Sequence, residues 1–345
     1  MADEQFDLRK EFADMLLKIK LPSGLSSEEK DKLFKPMELL ITANYPKSLF
    51  KYRPFSEQSL EDFNSDKIWI SKPSQFNDPF DSQFYFNKDD ITQWVDNECS
   101  EPYLREIYKY IKVNNAIPKG FVGNKEVMFE NIEYLLSLDE KSRIAKLNQV
   151  RDEANKAVAD SVKEANHFNA NNMYVSCFSE QVKSPIMWAH YTDNHKGFVI
   201  EYDFSDYDIK LDSNVKNIRI SKVAFPVVYS NGRYCAAENT PYFFLNHIGM
   251  DTKLKDTLAG FKALLHKSPD WSYEKEWRFI FSEINDSLQP IKGFHILKKP
   301  KAVYIGQKMS LINRKIMITL AKEKNIQIFE MEYDHYNPKY EMDIK

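Results

Sequence analysis

The stretch MYVSCFSEQVKSPIMWAHYTDNHKGFVIEYDF, residues 173–204, decides the fold class. It opens on a β-rich run, MYVSCFS (173–179), crosses a short helical segment, SPIMWAHY (184–191), and closes on a strand, GFVIEYDF (197–204). Ser184 followed by Pro185 marks the helix start, because proline is tolerated at the first helical position. Downstream, RISKVAFPVVYS (219–230), EWRFIFSE (276–283), KAVYIG (301–306) and IQIFEME (326–332) read as strands, with helices predicted over 251–267 and 309–324. Upstream, SLFKYRPF and KIWIS (67–71) read as strands around a short helix at 57–63. Helical spacing covers 5–20 and 27–42, and Ser26 with Glu29 predicts a capping box for the second of these. From about 90 to 168 the pattern is almost wholly helical. Helices and strands mix without regular βαβ alternation, so the fold class is α+β with a mixed or antiparallel sheet. The chain divides into an N-terminal helical segment (1–47) and an α+β core (48–345) carrying a helical insertion at about 90–168.

Composition narrows the chemistry. The net charge of −3 gives no general electrostatic case for nucleic-acid or membrane-surface binding. Only nine glycines occur in 345 residues, well under the average of about 7%. Folds that cradle phosphates in glycine-rich turns are therefore disfavoured; neither GxxxxGK[ST] nor GxGxxG is present, and Gly120 with Gly123 forms no motif. Any bound nucleotide must be held largely by side chains. Cys99, Cys177 and Cys235 form no CxxC pair, which suits a reducing compartment and a cytoplasmic location. MADEQFDLRKEF (1–12) has no apolar stretch of the kind a secretory signal needs, and no run approaches the roughly 20 apolar residues that span a bilayer.

The residues that carry chemistry lie in separated segments. Within KYRPF (51–55), Tyr52 precedes Arg53, whose guanidinium can clamp a diphosphate or carboxylate bidentately or form a structural pair with Asp78 or Asp81. FNDPFD (76–81) reads as a structural Asx turn rather than a cation loop, with Asp81 expected to pair with Arg53 or Arg278. Ser176 and Ser179 bracket Cys177. A cysteine in an apolar strand is an inert core residue more often than a nucleophile, and no GxSxG elbow occurs. Trp188, His190 and Tyr191 on one short helix can wall a planar ring or simply pack in the core. His190 and His195 lack zinc-protease spacing, so no metal is expected, although a metal-dependent hydrolase or nuclease built on the two histidines stays open as an alternative. Glu274, Glu276 and Arg278 alternate, and period two places them on one strand face. Such charges are either in use, paired, or exposed on an edge strand.

Taken in order, KYRPF, ISKPSQFNDPFD, SCFSE, SPIMWAHYTDNHKGFVIEYD, KVAFPVVY, WSYEKEWRFIF and VYIG resemble a bacterial family catalogued as domain of unknown function 2971, across roughly residues 48–335. The family implies no established chemistry; a role in defence or toxicity is an expectation that no residue carries. The order of Arg53, Ser176–Ser179 with Trp188 and Tyr191, and Glu274–Glu276 also resembles the ADP-ribosyltransferase superfamily, although Ser-Cys-Phe-Ser departs from its S-x-S element. That resemblance implies a split β-sheet and NAD as co-substrate. Tyr52, Arg53, Ser176, Ser179, Trp188 and Tyr191 would bind the dinucleotide. Glu276, Glu274 and His190 would be catalytic, and a protein or nucleic acid, or water, would accept ADP-ribose. A non-catalytic nucleotide-binding sensor is the other alternative.

Overall fold

The computed structural model describes residues 6–98, 100–118, 124–206, 209–211, 218–220, 223–239, 242, 254–283, 293–333 and 335–345. Helix α1 (Leu8–Lys18) starts where the Asp7 side chain accepts from the backbone N–H groups of Arg9 and Lys10. Helix α2 (Ser27–Ala43) starts at the expected capping box, Ser26 with Glu29. There follow β1 (Leu49–Arg53), α3 (Glu57–Asn64) and β2 (Lys67–Ser71). The helical insertion comprises α4 (Lys88–Glu98), α5 (Glu101–Asn114), α6 (Lys125–Ser137) and the 33-residue α7 (Glu140–Asn172); residues 99 and 119–123, with Cys99, Gly120 and Gly123, lie outside the described residues. The chain returns through β3 (Met173–Ser179), α8 (Pro185–Tyr191) and β4 (Phe198–Tyr202). Short strands β5 (Lys210–Leu211), β6 (Ile218–Ile220), β7 (Phe225–Pro226), β8 (Val228–Tyr229) and β9 (His266–Lys267) precede β10 (Glu276–Glu283). Strands β11 (Gly293–Leu297), β12 (Ala302–Ile305), β13 (Gln327–Glu332) and β14 (Asp343–Ile344) close the chain, with the helix Leu311–Glu323 between β12 and β13.

The sheet is mixed and mostly antiparallel, as the α+β reading expects. Its main path runs β14-β13-β12-β4-β1-β3-β2-β11-β5, and β10 branches from β3 to carry β6 and β7. Strand β1 pairs with β4 over five residues but meets β3 only at Phe50↔Ser179. Strand β3 instead pairs with β10 over seven residues, Glu276↔Ser179 to Ser282↔Met173. The sheet therefore splits between β1 and β3. The opening left by the missing ladder bonds needs side chains to satisfy it: the Lys51 Nζ donates to the Cys177 carbonyl across the gap (3.2 Å).

Two readings change. The helix expected over 251–267 is confined, among described residues, to Ala259–Ala263; its expected start, 251–253, lies outside them. Residues 266–267 instead form β9, parallel to β8, with Val228↔His266 and Tyr229↔Lys267. Buried Leu264 and Leu265 give that stretch a helix-like apolar pattern, and tertiary pairing overrides it. Strand β11, unread in the sequence, pairs along its whole length with β2; it is a five-residue element with only Phe294 and Ile296 turned inward, too short to register by periodicity.

The turn after α8 sets the height of β4 against β1. Asp193, Asn194 and His195 all adopt positive φ (49°, 54° and 68°), a rare left-handed run for non-glycine residues. It delivers Gly197 so close to β1 that a Cβ there would lie 2.1 Å from the Arg53 carbonyl oxygen. Phe12 and Leu16 of α1 and Met37 and Ile41 of α2 are fully buried in the same apolar cluster as Ile70, Phe198 and Phe279, so the first helices complete the sheet's core. The insertion has small cores of its own, Ile91, Val95, Ala154 and Val158 in one and Leu104, Ile107, Ile111 and Ile132 in another. Among the described residues no helix is long and apolar enough to cross a membrane. Phe12→Ala should destabilise the chain by about 3–5 kcal/mol, with near-ultraviolet circular dichroism from the core and far-ultraviolet signal lost together in urea. An early, separate loss of helix with the core intact would show that α1 and α2 form an independent unit.

Candidate functional site

A cavity of about 200 Å³ opens at the split in the sheet. Strand β1 supplies Lys51, Tyr52 and Arg53, β3 supplies Cys177, Phe178 and Ser179, and α8 supplies Met187 and Tyr191. The floor is a set of charges from four chain segments: Asp81, Lys267, Glu274, and Glu276 with Arg278.

Arg278 organises the floor. With its side chain only 1% exposed, it donates to both carboxylate oxygens of Asp81 (2.7 and 2.6 Å) and to both of Glu276 (2.8 and 3.0 Å). Its remaining reach is satisfied by the Leu264 carbonyl at 2.7 Å. Lys267 Nζ donates to Glu274 (2.6 Å) and Glu276 (3.1 Å), and the Tyr191 hydroxyl donates to Glu274. All these charged groups are nine-tenths or more buried, where an unpaired charge would be prohibitive. Three carboxylates face two cations. Burial opposes ionisation of Glu276, yet Arg278 and Lys267 hold its carboxyl well below the usual carboxylate range. Glu274 goes the other way: burial and the neighbouring Glu276 charge raise its affinity for a proton. Two adjacent carboxylates thus have opposite acid strengths, a pattern that marks acid–base sites in general.

The sequence-read residues separate into three groups. Tyr52, Arg53, Ser179, Tyr191, Glu274 and Glu276 line the cavity. Ser176 is buried just behind it and accepts from Lys51 at 2.8 Å. Trp188 and His190 do not reach it. The Trp188 ring is fully buried edge-on to Tyr52 (5.6 Å), and its indole N–H donates to the Val182 carbonyl at 2.6 Å; it is a core residue, as the plainer reading had it. His190 is exposed and meets the Tyr273 hydroxyl at 3.1 Å, because the one-residue helical step from Tyr191 turns it outward. His195 is buried against the Tyr333 hydroxyl (3.2 Å) and, like His190, does not line the cavity. Among the described residues no group of three or more His, Cys, Asp or Glu is arranged to hold a metal ion.

Other expectations change in detail. Arg53 pairs with Asp62 at 2.7 Å, not with Asp78 or Asp81; Asp62 also meets Gln58 and His295. Asp78 closes an Asx turn by accepting from the Phe80 N–H at 2.9 Å, and Asp81 takes Arg278. Glu274 ends a 3-10 turn, Pro269–Glu274, rather than lying on β10; Lys275, at φ 43°, redirects the chain so that Glu274 and Glu276 still share one side. Strand β10 is not an edge, since β3 flanks it on one side and β6 and β7 on the other. Cys177 lines the cavity, and burial and Glu276 push its thiol up, which disfavours the thiolate a nucleophile needs. Sequence reasoning missed Lys51, Lys267 and Asp62. Period two already put Lys51 on the face of Arg53, whereas Lys267 sat in an expected helix and Asp62 in a short polar one.

Residues 187–279 match the family described as Protein of unknown function (DUF2971), inside the longer stretch whose resemblance to that family was read from the sequence. The matched residues include Tyr191, Lys267, Glu274, Glu276 and Arg278; the walls from β1 and β3 lie outside. No curated protein and no solved structure matches the chain.

Arg278→Met should lower stability at pH 7 by about 3–5 kcal/mol, because two buried carboxylates lose their counter-charge. The lowered pKa of Glu276 contributes stability above pH 4.5 that disappears as pH falls through its lower folded value. The deficit of the variant should therefore shrink below pH 4.5, where protonated carboxylates need no partner. Urea unfolding at pH 7 and pH 4 measures both effects, and a deficit independent of pH would contradict the electrostatic account.

Proposed function

We propose that the chain binds NAD, cleaves the bond between nicotinamide and ribose, and passes ADP-ribose to water or to a macromolecular acceptor. One observation carries this reading. Three adjacent strands, β1, β3 and β10, present Arg53, Ser179 and Glu276 to a single cavity, with Ser179 in register with both Phe50 and Glu276. These are the groups, in the order, on which the likeness to ADP-ribosyltransferases rests, with Ser-Cys-Phe-Ser departing from the S-x-S element.

The chemistry follows from the charges. When the C1′–N bond breaks, its electron pair leaves with nicotinamide and the ribose becomes oxocarbenium-like. Glu276, kept ionised by Arg278 and Lys267, lies where a fixed negative charge lowers the energy of that cation. Water or an acceptor hydroxyl then attacks C1′ and gives its proton to Glu274, whose raised proton affinity suits a base near neutral pH. Phe178, Met187 and Tyr191 offer apolar and aromatic surface for the nicotinamide ring. At about 200 Å³ the cavity is smaller than the roughly 300–1,000 Å³ that encloses a whole ligand. It encloses only part of the dinucleotide, with the remainder at the mouth.

A second reading, a binding module without turnover, draws on the saturation of the floor: each carboxylate already accepts from at least two donors among Tyr191, Lys267, Arg278 and Ser82. Consumption of NAD separates the two readings. For the enzyme, Glu276→Gln should lower the cleavage rate on the order of 10²–10³-fold while NAD affinity changes little. Glu274→Gln should impair transfer to an acceptor more than hydrolysis. Melting of the same samples controls for lost ion pairs. Normal cleavage in a normally melting Glu276→Gln variant would remove Glu276 from the reaction, and intact NAD after prolonged incubation with the native chain would leave only binding.

A further inference from the structure

We infer that Lys51 is the anion-receiving residue of the cavity, binding the diphosphate of the ligand through its ammonium group. The inference rests on the proposed function only in placing a dinucleotide in this cavity, not on the cleavage chemistry.

The argument begins with partners. Of the cations lining the cavity, Arg53 is committed to Asp62 (2.7 Å), Lys267 to Glu274 (2.6 Å) and Arg278 to Asp81 (2.6 Å). Arg53, the residue that sequence reasoning assigned to the diphosphate, is therefore already neutralised. Lys51 differs. Among the described residues it has no carboxylate within ion-pair distance; its Nζ donates to the Ser176 hydroxyl (2.8 Å) and the Cys177 carbonyl (3.2 Å) and lies 4.7 Å from the centre of the Phe178 ring. These neutral groups orient an ammonium without cancelling its charge, and they use two of its three N–H donors. A lysine ammonium is a compact point charge suited to phosphate.

The surroundings keep this charge conditional. Burial and the Arg53 guanidinium on the same strand lower the Lys51 pKa to about 7, against the opposing pull of Cys177 on β3, Asp62 on α3 and Glu276 on β10. Below that value the ammonium is present; above it the amine is neutral and no longer attracts an anion. A bound diphosphate supplies the missing counter-charge, raises the pKa and holds the proton in place. Affinity for the anion should thus fall as pH rises through 7.

The test uses ADP-ribose, whose esterified diphosphate carries two charges at both pH 6 and pH 8. Calorimetry on the native chain should show binding about tenfold tighter at pH 6 than at pH 8, matching the roughly tenfold fall in charged Lys51 across a pKa of about 7. Lys51→Met should bind at least about tenfold more weakly at pH 6 and lose the pH dependence, while Lys51→Arg should bind at both pH values. Wild-type affinity in a normally melting Lys51→Met chain, or flat pH dependence in the native chain, would overturn the inference. A second measurement needs no variant: acetic anhydride labelling of Lys51 at pH 7, read by peptide mass spectrometry, should be suppressed by ADP-ribose and by millimolar sulfate. Protection by sulfate without ADP-ribose binding would leave the anion site standing and remove the dinucleotide reading. Protection by neither would remove the anion site itself.

Discussion

Arg278 joins parts of the chain that no local rule connects. Its guanidinium, closed off from water, grips Asp81 from a turn 197 residues earlier and Glu276 two residues away on its own strand. Hydrophobic residues of similar volume would often serve stability as well as such a network. Once it is present, however, each member obliges the others. Asp81 fixes the NDPFD turn, Glu276 fixes the start of β10, and Lys267 enters because the surplus carboxylate needs a second cation. The parallel pairing of β8 with β9 carries Lys267 there. One buried cation thereby couples a turn, a strand start and a two-residue strand to a single cavity.

The split of the sheet has the same consequence from the other side. Strands β1 and β3 share one bridge and then part; β3 pairs along its whole length with β10 and keeps one further bridge, Val175↔Ser71, to β2. A continuous sheet would have sealed this place with backbone hydrogen bonds. The opening instead admits side chains from both strands, and the fit of α8 under β1, through Trp188 packed on Tyr52, keeps the wall closed on the apolar side. The N-terminal helices reinforce the arrangement. The Arg9 side chain of α1 donates to the backbone carbonyls of Val227 and Glu276 (2.8 and 3.0 Å) and pairs with Glu180. These contacts tie the first helix to the strands that carry the floor.

Reading residues from sequence succeeded where a single strand or turn sets the geometry. Arg53, Ser179 and Glu276 reach the cavity because alternation along a strand is a backbone property. Asp78 closes its turn because an Asx side chain bonds its own local backbone. The same reasoning failed for Trp188 and His190, neighbours of Tyr191 on one short helix. Rotation of about 100° per residue sends these three side chains in different directions, and only packing decides which one faces the opening. Pairings were legible only in part. That Asp81 would meet an arginine followed from its chemistry, but Asp62 as the partner of Arg53 did not, since α3 had to fold back on β1 first.

The sequence by itself determined the α+β class, the helix starts at Ser26 and Ser184, the scarcity of glycine-built phosphate loops and the strand faces on which the site's charges lie. Those are consequences of local backbone preference and of periodicity. Tertiary structure alone decided that β1 and β3 would separate, that Lys267 would leave a helix-like stretch to pair beside β8, and that Lys51 would be the lining cation with only neutral partners among the described residues. Each of these depends on which distant carboxylate or strand arrives beside a residue. Burial then amplifies that accident of position, because a charge removed from water is governed by its few nearest neighbours and hardly at all by the segment that carries it.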